Sequence, residues 1–271
     1  RRYVLAADLD PVSGERPAWL THTMGHYGTA NSAALRLAGI TRDTPDPAGG
    51  TIDRGEDGEP TGVLKEAAMG LVARLIPQPG PEKMREAIAA MADELNAECM
   101  TGAKDPGIGY NVLADPASAM HTWDAYRQVL ADGELTLRVF ALWRSPATLD
   151  EARQLVERIA SFTHPESRDS GDRLISGGVK IFADGSGGAR TAWVWDDWNR
   201  ERTGLDEGNR GYPAIDMIVL RDLIMFYHDR GLHVGVHAIG DRAIDWTVAS
   251  LTLALIRNPR HGLRHSIIHA N

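Results

Sequence analysis

The sequence has one cysteine, fewer basic than acidic side chains, and no apolar run long enough to cross a membrane. Each shortage excludes something. Cys99 has no companion for an internal disulfide or a cysteine-rich zinc site, so a metal in this chain must be held by histidine, carboxylate or a modified side chain. A lone thiol also fits a reducing compartment, and a cytoplasmic location is expected. Lys and Arg number 29 against 37 Asp and Glu, a formal charge of −8. Binding a phosphate backbone needs a basic surface, so no nucleic-acid partner is expected. The longest apolar stretches, such as residues 137–143, are only strand-length, and Arg1-Arg2-Tyr3-Val4 does not open a signal-peptide core. No membrane partner is expected.

What is present is enough apolar material, 43 % of 271 residues, to bury one barrel-sized core or two ordinary ones. The first 62 residues are rich in Gly, Pro, Asp and Thr and read as an irregular, structured loop region, with a single helical turn at 32–38. Residues 62–75 carry Val63, Leu64, Ala67, Ala68, Leu71, Val72 and Leu75 at helical spacing, and a second helix starts at Pro81 and runs to about Ala97. Beyond it, short apolar strands at about 99–104, 135–142, 178–182, 233–237 and 266–269 alternate with helical periods at 117–130, 149–161, 215–229 and 241–256. That alternation predicts a parallel α/β architecture, divided as an insertion over 1–62 and a partial barrel over 63–271.

In a parallel α/β barrel the chemistry is built at the C-terminal ends of the strands. Asp105 follows the first of these strands, Lys180 lies in Val179-Lys180-Ile181-Phe182-Ala183-Asp184, His237 ends Val234-Gly235-Val236-His237, and His269 ends Ile267-Ile268-His269. Two neutral imidazoles on neighbouring strand ends can share one metal ion. Lys180, between Val179 and Ile181, should be partly buried, and burial demands a partner or a changed charge state. A core histidine satisfied by a carbonyl, or a snorkelling lysine, is the plainer alternative at each position. Asp184-Gly185-Ser186 reads either as a turn after the strand or as a substrate contact, and His26 as either pocket wall or local structure. Trp193, Trp195 and Trp198 either pack over the barrel mouth or wall the pocket.

The segments 178–186, 237–244 and 264–269 resemble the strand-end motifs of the YtcJ-like branch of the amidohydrolase superfamily, amidohydrolase family 3. Residues 25–35, 46–50 and 59–66 are similar to that family's insertion before the second barrel strand. The resemblance implies a metal-dependent hydrolase (β/α)₈ TIM barrel with one or two divalent ions, usually zinc, acting on a carbon–nitrogen bond other than a peptide bond. By motif, Lys180 (often carbamylated in such enzymes), His237 and His269 take the catalytic and metal-ligand roles, and the substrate implied is a small molecule; His26, Asp105 and Asp184, by their places in loops or at a strand end, are candidate contacts to it. The family pattern also has a His-x-His pair on the first strand, an aspartate on the eighth and a small β-sandwich. None of these is found here, and Thr21-His22-Thr23-Met24-Gly25-His26 has the wrong spacing for the pair. The expectation is therefore an incomplete barrel lacking its first strand, last two strands and β-sandwich domain, with exposed edges that favour a homo-oligomer. The rival functions are a catalytically silent regulatory or binding protein and a metal-free enzyme using Lys180 as an imine-forming nucleophile.

Overall fold

The structure, a computed structural model, describes residues 3–77, 79–109, 116–161, 173–198 and 208–270. Its N-terminal part is more regular than its composition suggests. After helix α1 (Ala6–Ser13), strands β1 (Trp19–Thr21) and β2 (Tyr27–Ala30) form a hairpin. Helix α2 (Ser32–Ala38) follows, capped by Asn31 Oδ1 accepting from Ala34 N at 2.8 Å and closed by Gly39 in the left-handed region. Strands β3 (Gly50–Arg54) and β4 (Pro60–Glu66) complete an antiparallel sheet in the order β1-β2-β4-β3. The expected irregular region over 1–62 is thus corrected to a four-stranded sheet with two helices, and the expected division after residue 62 falls inside β4.

The physical reason is crowding. Thr29 and Ala30 are buried, and a Cβ on Gly28 would stand 2.3 Å from the Trp19 ring, so the central strand must use small residues that look like loop in a sequence. The helix expected over 62–75 is corrected in the same way. Val63 and Leu64 are adjacent and fully buried because β4 is covered on both faces, and positive φ at Gly62 and Glu66 breaks any helix. Only a 3₁₀ turn at Ala67–Met69 and the short helix α3 (Gly70–Ala73) remain of it.

Helix α4 (Pro81–Ala97) runs as the sequence predicts. Strands β5 (Gly102–Ile108), β6 (Arg138–Arg144), β7 (Leu174–Phe182), β8 (His233–Ala238) and β9 (Ser266–His269) then form a parallel sheet in sequential order, curled like half a barrel. They are connected through α5 (Pro116–Ala131), α6 (Leu149–Ile159), α7 (Met217–Asp229) and α8 (Asp241–Arg257). Thr148 and Asp216 cap α6 and α7 with their side-chain oxygens. Trp143, Val179, Ile181, Val234 and Val236 point into the main core with the α6 and α7 residues Leu155, Leu220 and Leu223. Because side chains alternate along a strand, Arg144, Lys180 and Phe182 are left on the concave face. The register sets Lys180 opposite Arg144 and Phe182 opposite His237. No helix among the described residues is long and apolar enough to cross a membrane.

Candidate active site

The site is built where the two sheets meet. Lys180 is 2 % exposed, and its Nζ lies 4.6 Å above the Phe182 ring; no acceptor for it occurs among the described residues. Burial is the main force lowering its pKa to about 8, aided by the charges of Arg144 and Lys104. The amine is still mostly charged near physiological pH, but its neutral share is larger than that of an ordinary lysine.

His237 is 1 % exposed, with its Nε2 2.7 Å from the Gly185 carbonyl oxygen. A carbonyl only accepts, so Nε2 carries the proton and Nδ1 keeps its lone pair. Burial pushes the His237 pKa down to about 3, against the opposing hydrogen bond to Gly185, so the ring stays neutral. His269 comes from the end of β9, where a φ of 80° turns the chain. Its ring meets His237 edge-on with centroids 4.8 Å apart, and desolvation, then Lys180 and His26, lower its pKa.

The structure treats the expected substrate residues differently. His26, just before β2, packs its ring 4.8 Å from that of His237, so the insertion does reach the strand ends. Asp184 is fully buried and accepts backbone N–H groups from Trp193, Ile239 and Gly240 at 2.8–3.1 Å. Burial raises its pKa to about 6 despite these bonds. It ties the loops after β7 and β8 together, with its Oδ1 3.6 Å from His237 Nε2, and is not among the residues that line the cavity. Asp105 does not end its strand, which continues to Ile108, and its Oδ2 accepts from Tyr126 of α5 at 2.9 Å. It faces the helices, away from Lys180, because an odd step along β5 places it on the opposite side from Lys104. Trp193 is buried with its N–H on Asp184, and Trp195 is half exposed with its indole N–H on Asp245, so these two pack the loop rather than wall the cavity.

A cavity of about 490 Å³ opens at this junction, lined among others by Met24, His26, Glu66, Arg144, Phe182 and Ile215. Lys180, His237 and His269 are not among its lining residues; Phe182 and His26, whose rings lie beside His237, are. Glu66 and Arg144 escape a reading by strand ends in different ways. Glu66 comes from the antiparallel sheet, although it closes one of the quoted motifs, and Arg144 ends the strand with no quoted motif. Glu66 Oε2 lies 2.8 Å from His26 Nδ1, and its Oε1 accepts from Thr191 Oγ1 at 2.5 Å.

This pairing of a parallel sheet carrying Lys, His and His with an inserted antiparallel sheet matches known proteins. The family model described as "Amidohydrolase family" matches residues 1–271. The chain belongs to the amidohydrolase family. It is 32 % identical over 268 residues to YtcJ of Bacillus subtilis (strain 168), which is named as an amidohydrolase; the match covers 99 % of this chain and 46 % of that protein. To Protein LONG AFTER FAR-RED 3 of Arabidopsis thaliana it is 30 % identical, over 98 % of this chain and 43 % of the relative. This amidohydrolase chain therefore spans about half the length of the curated relatives it matches. A crystal structure of an uncharacterized metal-dependent hydrolase from Pyrococcus horikoshii OT3 superposes with a TM-score of 0.60 at 22 % identity, covering 93 % of this chain and 45 % of that one. At that identity the likeness speaks for the fold alone.

The donor set can be compared with what a divalent ion needs. Among the described residues no group of three or more His, Cys, Asp or Glu side chains is gathered for a metal. The amidohydrolase site instead offers two imidazoles in contact, both with lowered pKa, and a lysine amine whose pKa is lowered by burial. These fit part of a coordination sphere, and the proton on His237 Nε2 is held by a carbonyl as metal-bound histidines require.

Proposed function

We propose that this chain carries part of the active site of a metal-dependent amidohydrolase that cleaves an amide-like carbon–nitrogen bond, other than a peptide bond, in a small molecule. The observation that carries the reading is the orientation of His237. Its Nε2–H is committed to Gly185, which leaves Nδ1 as a donor beside His269 and Lys180. Family membership supports it, as does the amidohydrolase name of YtcJ. In this proposal His237 and His269 hold one or two divalent ions, zinc by donor chemistry, and Lys180 joins them as a carbamate. The five parallel strands are then a section of a (β/α)₈ barrel.

When bound, the metal lowers the pKa of a water molecule and polarises the carbonyl under attack. The chain's own residues have separate tasks. Arg144 and His26 line the wall of the cavity, Met24, Phe182 and Ile215 keep it apolar, and Asp184 fixes the loops after β7 and β8.

The test is metal content by mass spectrometry of the purified chain and of the His237→Ala/His269→Ala double variant. Stoichiometric zinc that disappears in the variant supports the reading, and hydrolysis of a small amide panel by the zinc-loaded protein completes it. The want of a three-ligand cluster among the described residues favours a second reading, a catalytically silent binding or regulatory protein, for which the same assay returns no metal in either sample.

A further inference from the structure

We infer that Arg144 is a specificity-determining residue: its guanidinium takes a carboxylate of the bound molecule, so that the cavity selects amides carrying an acidic group over their neutral counterparts. The inference rests on the amide reading above and names the substrate class within it.

The geometry starts in β6. Trp143 and Arg144 are neighbours on a strand, so their side chains leave on opposite faces. Trp143 is fully buried in the main core, with its indole Nε1–H on Ser176 Oγ at 2.8 Å. Arg144 is thereby set on the concave face, in register with Lys180 of β7. The following residue is held as firmly: Ser145 N donates to Lys180 O at 2.8 Å, and its hydroxyl lies 2.9 Å from that of the fully buried Tyr227. Both neighbours of Arg144 are thus anchored, and its side chain leaves a fixed backbone. The guanidinium carbon stands 4.8 Å from the centre of the Phe182 ring, and both side chains line the cavity. Arg144 remains exposed, so a ligand can reach it from the mouth.

Packing a guanidinium over an aromatic ring uses none of its N–H groups, since all five lie in its own plane. Two of them, side by side, match the two oxygens of a carboxylate. The rest of the wall favours such a partner. Among the described residues Arg144 is the only lysine or arginine that lines the cavity, and Glu66 is the only carboxylate. Glu66 is already committed, with Oε1 accepting from Thr191 Oγ1 at 2.5 Å and Oε2 lying 2.8 Å from His26 Nδ1. Met24, Met69, Ile181 and Ile215 make much of the remaining surface apolar. Lys104 adds a second positive charge from β5, felt together with that of Arg144 at Lys180. In a chain with a formal charge of −8 this is a local excess of the opposite sign, and a cleft with low-dielectric walls focuses such a field on an incoming anion. An acid held at Arg144 leaves the rest of the molecule to run along Phe182 and His26, whose rings lie beside His237.

The experiment uses the full chain stripped of metal, so that zinc cannot take the carboxylate, and two probes of nearly equal shape, N-benzoylglycine and N-benzoylglycinamide, followed by ligand-observed NMR titration. The wild type should bind the acid at least about tenfold more tightly than the neutral probe, a preference that shrinks at high salt. In Arg144→Met, which keeps an unbranched stem beside Phe182, the acid should lose about tenfold in affinity while the neutral probe changes by less than about twofold, which also shows an intact fold. Arg144→Lys restores the charge without the fork and should regain only part of the preference. In the wild type, the side-chain Nε–H signal that is missing from Arg144→Lys should move with the acid and stay still with the neutral probe; this decides the matter if Arg144→Met binds neither. Equal binding of the two probes by the wild type, binding of neither, an unmoved Nε–H signal, or a preference that survives Arg144→Met each overturns the inference. Preference for the acid by a chain that takes up no zinc when zinc is supplied leaves it standing and counts against the hydrolase reading, and stoichiometric zinc with equal binding does the reverse.

Discussion

The Nε2–H of His237 donates to the carbonyl of Gly185 at 2.7 Å, so the residue that orients the proposed metal ligand is a glycine acting through its backbone. The same glycine has no space for a side chain, since an added Cβ would meet Thr191 Oγ1 and Glu66 Oε1 at 2.0 and 2.4 Å. Gly185→Ala should therefore cost about 2 kcal/mol by overpacking, read as a lower urea midpoint with an unchanged slope. It should also weaken zinc binding, because the carbonyl moves with the displaced loop.

Lys180 offers a pH test. With its pKa lowered to about 8, the folded chain holds fewer protons than the unfolded one between about pH 8 and the ordinary value of 10.5, so this group makes stability rise with pH across that window. The neutral amine is also the form that reacts with carbon dioxide. In ¹³C-bicarbonate the carbamate signal should be several-fold stronger at pH 8.5 than at pH 6.5, and absent from Lys180→Arg at both.

Asp184 answers three backbone N–H groups with one carboxylate. Asp184→Ala strands all three in a buried place, at a cost of roughly 3 kcal/mol and a fall in Tm of many degrees. Its pKa is raised to about 6 by burial, so the folded state holds the extra proton between pH 3.8 and 6, and the carboxylate's contribution to stability declines as pH rises through that range. Asp184→Asn should abolish that slope in chemical denaturation measured at several pH values.

A second histidine cluster lies outside the site. Val234 N donates to His265 Nδ1 at 3.0 Å, so His265 Nε2 bears the proton and donates to His228 Nδ1 at 2.9 Å, and His228 Nε2 then donates to Asn258 O at 2.6 Å. Desolvation, then the neighbours His228 and His233, lower the His265 pKa to about 4. The unfolded chain binds the proton more readily, so the contribution of His265 to stability should fall as pH drops from about 6.5 to about 4, opposite in sign to that of Asp184. Buried His237 adds to this slope, and comparison with His265→Gln isolates the share of His265. A slope that is the same in both proteins would remove the cluster from the account.

The parallel sheet was legible because its strands are short apolar runs separated by amphipathic helices, and Lys180, His237 and His269 stand out as polar residues within or at the ends of such runs. The first sheet was not legible. Gly28, Thr29 and Ala30 are small because Trp19 and β4 press on them, and small residues read as loop. Asp105 was misplaced because it lies within β5 rather than at its end, and one step from Lys104 turns it to Tyr126 on the helix side.

By itself the sequence determined the order of elements from α4 onward and the identity of three polar residues within or at the ends of apolar strand runs, since such runs and periodicity are local properties of a chain. Only the tertiary structure decided that Glu66 clamps His26, that Gly185 orients His237, and that Asp184 gathers the loops after β7 and β8 next to His237. Those relationships join residues 40, 52 and 55 positions apart. A hydrogen bond between such distant positions depends on how two sheets curl and meet, which no local pattern of residue types records.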